Sequence, residues 1–150
     1  RYTSFGINLF TFFRLPAAWI SGVRLISINK KICKTRVNHK WINQNPFNSI
    51  YWAVQGMAAE LTTGILIMKA SKEFEKEVSM LVISNKAKFI KKAKGKIIFS
   101  CIPKDKIEKT FEKLIKTNEP QKLWLTSNGI DIEGDLVSTF DFQWTLLIKK

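Results

Sequence analysis

Two polar residues stand inside the longest apolar run of the sequence. From Asn45 to Ala70 the chain reads NPFNSIYWAVQGMAAELTTGILIMKA, with Gln55 and Glu60 in its interior. Desolvation in an apolar helix raises a carboxyl pKa toward neutrality, the condition for a general base at physiological pH. Glu60 is therefore the leading candidate for chemistry. A carboxyl hydrogen-bonded to a sheet or to a partner subunit is the structural alternative of equal weight. Gln55 is suited either to holding a water or to bonding the backbone.

The other reactive residue types point to packing. Cys33, Thr35, Val37, His39 and Trp41 alternate with Lys34, Arg36, Asn38 and Lys40, so His39 reads as a packed residue on the apolar face of a strand from Ile32 to Ile42. Cys33 and Cys101 lack CxxC spacing and read as core thiols of strands rather than nucleophiles or metal ligands. No metal or cofactor is expected. The opening apolar run is broken by Arg14 and Pro16 and has no clean signal-peptide pattern, so the expectation is two free thiols in a reducing cytoplasm.

These residues must be positioned by a chain of 150 residues, which fits one domain over residues 1–150 and buries ~70% of the unfolded surface. A hydrophobic content of 45%, with eleven Phe and five Trp, excludes a disordered chain and leaves apolar surface over for a cavity or an interface. The net charge of +13 is uneven. Lys86, Lys88, Lys91, Lys92, Lys94 and Lys96 run together without an acid, while Asp131, Glu133, Asp135 and Asp141 gather near the end. Nucleic acid is not the expected partner, because no Gly-flanked aromatic strand motif, zinc spacing or basic recognition helix accompanies the charge. The lysine run is either a solvated face or a place where phosphates dock, with Lys91 and Lys94 flanking its turn.

Elements follow from periodicity and breakers. Phe5, Leu9, Phe10, Phe12 and Phe13 recur at near-helical spacing, and Pro16 opens a second short helix, giving an N-terminal helical cap over residues 1–22. After the strand ending at Ile42, NQNP stops the sheet, and a long helix is expected from about Ser49 to Lys69. EVSMLVISNKAKFI and KIIFSCI read as a hairpin around KKAKGK. Ile107, Phe111, Leu114 and Ile115 mark an amphipathic surface helix. Turn signals at Asn128-Gly129 and Gly134-Asp135 separate the last strands, in which Phe140, Phe142, Trp144 and Leu146 alternate with polar residues. The class is α+β.

The nineteen residues from Ile50 to Met68 would extend about 28 Å as a helix, nearly a bilayer's width. An acidic residue such as Asp at the centre of a span costs ~2.5–3.5 kcal/mol, and Gln55, Thr62 and Thr63 add further polarity. A helix buried by a surrounding sheet accounts for apolarity all round without lipid, so no transmembrane segment is expected.

The segments NPFNSIYWAVQGMAAE, VNHKWINQ and NKAKFIKKAKGKIIFSC resemble the hotdog-fold family that includes DUF4442 proteins and is related to acyl-CoA thioesterases. The resemblance runs from about Phe10 to Lys150. It implies a curved antiparallel sheet wrapped around the long central helix. It also implies a thioester of coenzyme A or acyl carrier protein as substrate, bound between the subunits of a homodimer or homotetramer.

Thioester hydrolysis needs donors for the developing oxyanion, a group to activate water and an apolar slot. The better-known thioesterases carry an Asn, then His-Gly-Gly, then an acid about two and a half turns into the helix. By this resemblance Asn45 matches the Asn, Phe47, Asn48 and Ser49 replace His-Gly-Gly, and Gly56 falls where the acid would be. Glu60 lies one turn further on the same face. Either the acid has moved to Glu60 or the usual catalysis is absent. On the first reading Glu60 and Asn45 are catalytic, the N–H groups of Asn48, Ser49 and Ile50 at the helix start serve the oxyanion, and Phe47, Tyr51 and Gln55 line the pocket. The dehydratase branch of the fold is disfavoured, because NPFNS has no His and Gln55 stands at its acid position. The alternative is a non-catalytic acyl-chain or lipid binder, for which the Phe-rich cap and basic hairpin would suit a membrane surface.

Overall fold

The computed structural model describes residues 2–150; Arg1, counted in the expected cap, lies outside them. Helices α1 (Ser4–Arg14) and α2 (Pro16–Ile20) precede strands β1 (Arg24–Ile28) and β2 (Cys33–Asn38). A short 3-10 turn (Trp41–Asn43) leads to the long helix α3 (Trp52–Glu73). Then come β3 (Val78–Phe89), β4 (Lys96–Cys101), α4 (Lys106–Thr117), β5 (Gln121–Ile130) and β6 (Leu136–Ile148). The strands form one antiparallel sheet in the order β1-β2-β4-β5-β6-β3.

The sheet curves around α3, as the patterning requires. Alternation in β5 and β6 turns Leu123, Leu125, Phe140, Phe142, Trp144 and Leu146 inward, and α3 is buried almost all round from Ala58 to Ile67. Helix and sheet approach closely where side chains are absent. A Cβ on Gly64 would lie 3.3 Å from Trp144; within the sheet, one on Gly129 would fall 2.6 Å from the ring of its cross-strand partner Phe99.

The polar residues of this buried helix are tied to the sheet. Ser138 Oγ donates to Gln55 Oε1 at 2.7 Å, Thr62 Oγ1 donates to Ser127 Oγ at 2.8 Å, and Trp144 Nε1 donates to Thr63 Oγ1 at 2.9 Å. From β2, Thr35 Oγ1 donates to the Ala58 carbonyl at 2.8 Å. Each bond satisfies a group whose burial alone would be costly, and together they fix the helix's rotation against β2, β5 and β6.

Several local expectations are corrected. The lysine-rich segment does not close a hairpin: β3 pairs with β6 at the far edge, while β4 lies between β2 and β5. The thirteen residues of β6 accompany the twelve of β3 along its length, and the six of β4 match the six of β2. A strand not foreseen, β1, follows the cap and forms the other edge. The β2 strand ends at Asn38, so His39 is half-buried and Trp41 is 82% exposed. The cause is Asn43, only 2% exposed, whose amide bends the chain back on itself. Asn128-Gly129 lies inside β5, where the missing Cβ accommodates Phe99 rather than a turn.

The two sheet edges are treated differently. Along β1, α1 lies so that Asn8 accepts from the Leu25 N–H at 2.7 Å and donates to its carbonyl at 3.2 Å, while Ser4 Oγ donates to the Ile26 carbonyl. The β3 edge is uncovered, although Leu81, Ile83 and Phe89 are exposed there. Among the described residues no helix is long and apolar enough to cross a membrane.

Candidate active site at the start of the central helix

Helix α3 begins at Trp52, three residues later than expected, because residues 44–50 form a closed loop. Asn45 builds it. Its Oδ1 accepts from the Phe47 and Ser49 N–H groups at 2.9 and 3.2 Å, and its Nδ2 donates to Ser49 Oγ at 2.9 Å. Asn48 adopts a left-handed conformation (φ 60°), which Asn tolerates better than most residues. Asn45 thus spends its amide on the loop.

That loop also corrects the expected oxyanion donors. The Asn48 N–H bonds the Asn45 carbonyl (3.3 Å), the Ser49 N–H bonds the Asn45 side chain, and the Ile50 N–H bonds the Ala93 carbonyl (2.8 Å). All three are occupied. At the helix start proper, the Val54 and Gln55 N–H groups both reach the Tyr51 carbonyl, at 3.0 and 3.2 Å. The N–H groups of Trp52 and Ala53 bond nothing among the described residues and stand at the positive end of the helix dipole. No side chain caps this start, and the residues around Ser49 from which the helix was expected are taken up by the loop.

The face of α3 that the sheet leaves uncovered begins there. Trp52, Gly56 and Glu60 follow at i, i+4 and i+8, with Ala53 and Met57 beside them, and none of the five is fully buried. Eight residues separate Trp52 from Glu60, a rise of about 12 Å. Desolvation raises the Glu60 pKa from its ordinary value.

Two clefts adjoin this stripe. One, of 420 Å³, is bounded by the Asn45 loop, Tyr51, Trp52, Gln55, Phe89 and Ile90. Phe47, Tyr51 and Gln55 do meet there, as expected, though Gln55 is 4% exposed and both ends of its amide are engaged, with Nε2 donating to the Ile50 carbonyl at 3.2 Å. Glu60 lies in the other, of 470 Å³, between α2 and α3, with Arg14, Leu15, Pro16, Gly56 and Met57. The structure therefore separates Glu60 from Asn45 by opening them into different clefts.

Lys91 is not free to receive a phosphate. Its Nζ donates to Asp131, Glu133 and Asp135 at 2.7, 2.9 and 2.8 Å, joining β3's end to the β5–β6 turn. These bonds, with Asp131 first, raise the lysine's pKa and hold Asp131 below its ordinary range. Lys94 is exposed, and Lys92 lies at the rim of the Asn45 cleft. Cys33 and Cys101 face each other across β2 and β4 as buried free thiols, pushed up to about 12 by desolvation.

Residues 8–146 match the model of a domain of unknown function, DUF4442. The chain belongs to the DUF4442 family. No curated protein matches the sequence significantly. Among solved structures, this DUF4442 chain is similar to a Pseudomonas aeruginosa protein described as of unknown function and a probable thioesterase. The two are 17% identical with a TM-score of 0.81, over 98% of this chain and 97% of that one. It also resembles a putative thioesterase from Shewanella oneidensis, with 9% identity, a TM-score of 0.78 and 96% of each chain covered. A Haemophilus influenzae thioesterase is 11% identical at a TM-score of 0.77, over 99% of this chain and 92% of that one. At these identities the likeness is one of fold, and the fold is the hotdog.

Proposed function

We propose that this DUF4442 protein hydrolyses acyl thioesters, of coenzyme A or of acyl carrier protein, at a site completed by a second copy of the chain. The observation that carries the reading is the partly uncovered stripe of α3: two free N–H groups at the helix start and a desolvated carboxyl two turns along. A thioester carbonyl at Trp52 and Ala53 would develop its negative charge against those N–H groups. Glu60, ionised and made more basic by burial, would take the proton of the attacking water, and the thiolate would leave. Phe47, Tyr51 and Trp52 offer apolar walls, and Lys92 and Lys94 take over from Lys91 as candidates for phosphate contact.

The dimer enters through β3. From Val78 to Ser84 this open edge carries no charge, which would leave a monomer prone to edge-to-edge pairing, and pairing with its own copy removes the hazard. The Asn45 cleft includes Phe89 and Ile90 beside that edge, so a partner there would wall it. Higher homo-oligomers are compatible with the same contact, and the unpaired thiols suit a reducing cytoplasm.

Free-thiol release from a panel of acyl-CoAs tests the reading, with Glu60→Gln alongside. The variant should lose ~10²–10⁴ in rate while still binding substrate. Wild-type turnover by Glu60→Gln would make Glu60 structural. Binding without turnover by the wild type would favour the acyl-chain binder, a reading supported by the apolar wall of the Glu60 cleft at α2.

A further inference from the structure

Helix α1 turns only part of its apolar surface inward, where Ile7 is buried and Phe10 packs against the core. Surface helices ordinarily turn their apolar stripe to the core and their polar side to water. Here the side toward β1 carries Ser4, Asn8 and Thr11, with Ser4 and Asn8 bonded to the strand and Thr11 Oγ1 to the Ile7 carbonyl. Phe5, Leu9, Phe12 and Phe13, at i, i+4, i+7 and i+8, face outward instead; Phe5 is 79% and Phe13 68% exposed. The stripe continues through exposed Leu15 to Ile20 of α2. Such a face needs something to cover it.

We propose that this face docks on an anionic lipid bilayer, with α1 lying in the plane of the interface. Charge selects the occupant. Before Glu60 the sequence carries eight Arg and Lys and no Asp or Glu. Arg14 stands in the last turn of α1, and the Arg24 guanidinium sits 3.3 Å over the Trp19 ring, which in turn packs edge-on against Phe12. Aromatic rings flanked by cations are the composition that settles helices at the acyl–headgroup boundary. Glu75 and Glu77, which share a cleft with Tyr2, are matched there by Lys72, Lys76 and Lys149.

A second copy is a poorer occupant, since the face would meet its own Arg14 and Arg24. The open edge available for self-association, β3, also lies at the opposite end of the six-stranded sheet, five strand spacings or about 24 Å along the sheet from β1. Docking by α1 therefore leaves that edge free. It also sets the Glu60 cleft, whose rim holds Arg14 and Leu15, beside the lipid. The docking stands whether or not the protein hydrolyses thioesters.

Co-sedimentation with vesicles of phosphatidylcholine alone, or with phosphatidylglycerol at roughly one lipid in four, tests it without any thioester present. The expected result is binding to the anionic vesicles, weakened by salt and at least about tenfold lower on neutral ones. Phe5→Ser/Phe13→Ser should lower binding by about tenfold or more with an unchanged unfolding temperature, because both rings are exposed. Arg14→Gln should lower it about fivefold. Equal binding by wild type and the double variant would overturn the proposal. So would absence of vesicle binding by the wild type, and a smaller assembly in light scattering for the double variant would then assign the face to contact between copies. Hydrolysis of a water-soluble short-chain acyl-CoA by the double variant reads the thioester proposal separately.

Discussion

Replacing Asn43 by Ala removes a side chain that ties the end of the cap to the end of the β2 strand. Its Oδ1 accepts from the Lys40 N–H at 2.8 Å, and its Nδ2 donates to the Ser21 carbonyl at 2.9 Å and the Asn38 carbonyl at 2.8 Å. Its own carbonyl accepts from the Tyr51 N–H at 2.8 Å. Three side-chain bonds at about 1 kcal/mol each, raised where a buried carbonyl is left without a donor, amount to ~2–4 kcal/mol. At ~2–4 °C per kcal/mol for a chain of this size, the unfolding temperature should fall by about 5–15 °C. Asn43→Asp separates hydrogen bonding from packing. It keeps the acceptor for Lys40 but aims a carboxylate at two carbonyl oxygens, so the folded-state pKa of the new acid is raised. Its penalty is absent below the unfolded value of about 3.9 and grows as the pH climbs above it. Thermal unfolding followed by circular dichroism at pH 4 and pH 7 should find Asn43→Asp nearer to wild type at the lower pH and at least as destabilised as Asn43→Ala at the higher. An Asn43→Ala protein melting within about 1 °C of wild type, or an Asn43→Asp deficit that ignores pH, would refute the knot.

Glu60 carries a linkage of the same sign: its folded pKa is raised, so ionisation weakens the fold as pH rises from its ordinary value of 4.5. Urea unfolding should therefore find Glu60→Gln more stable than wild type at pH 7 and equal to it below pH ~4; equal stability throughout would contradict a desolvated carboxyl. Lys91→Met leaves three carboxylates whose oxygens lie within 4.8 Å of one another. The wild-type bonds stabilise above the ordinary Asp value of 3.8 and are lost as pH falls through the lowered Asp131 pKa, whereas the variant should gain stability on acidification from pH 7 to 4. A melting curve with the wild-type pH slope would argue against the cluster. Leu81→Lys, at an exposed position of the β3 edge, should shift the light-scattering mass to the 17.3 kDa of one chain. An unchanged assembly would place the subunit contact elsewhere.

What the sequence determined by itself was whatever depends on local period and composition. The cap with Pro16 at the head of its second helix, the long apolar helix, the amphipathic α4 and the alternation of β6 are each written in contiguous residues, because burial on one side imposes a repeat of 3.6 or 2. Glu60 was legible for the same reason, as a charge out of place in an apolar run. Strand pairing was not, because a lysine-rich turn looks alike whether it closes a hairpin or carries the chain across the sheet; only the lengths and faces of β4 and β6, brought together in three dimensions, decide it. The donors at the helix start were misplaced for a related reason. Whether an N–H group is free depends on what it meets, and Asn45 and Ala93 claim the groups that the expected helix start assigned to the ligand. Lys91 lost its assigned role because Asp131, Glu133 and Asp135, some forty residues away, close around it. The outward turn of Phe5, Leu9, Phe12 and Phe13 was likewise set by tertiary structure, since the helical period shows that these residues share a face but not which way it looks. The unpaired edge of β1 decided that, by calling Ser4 and Asn8 inward to satisfy its backbone.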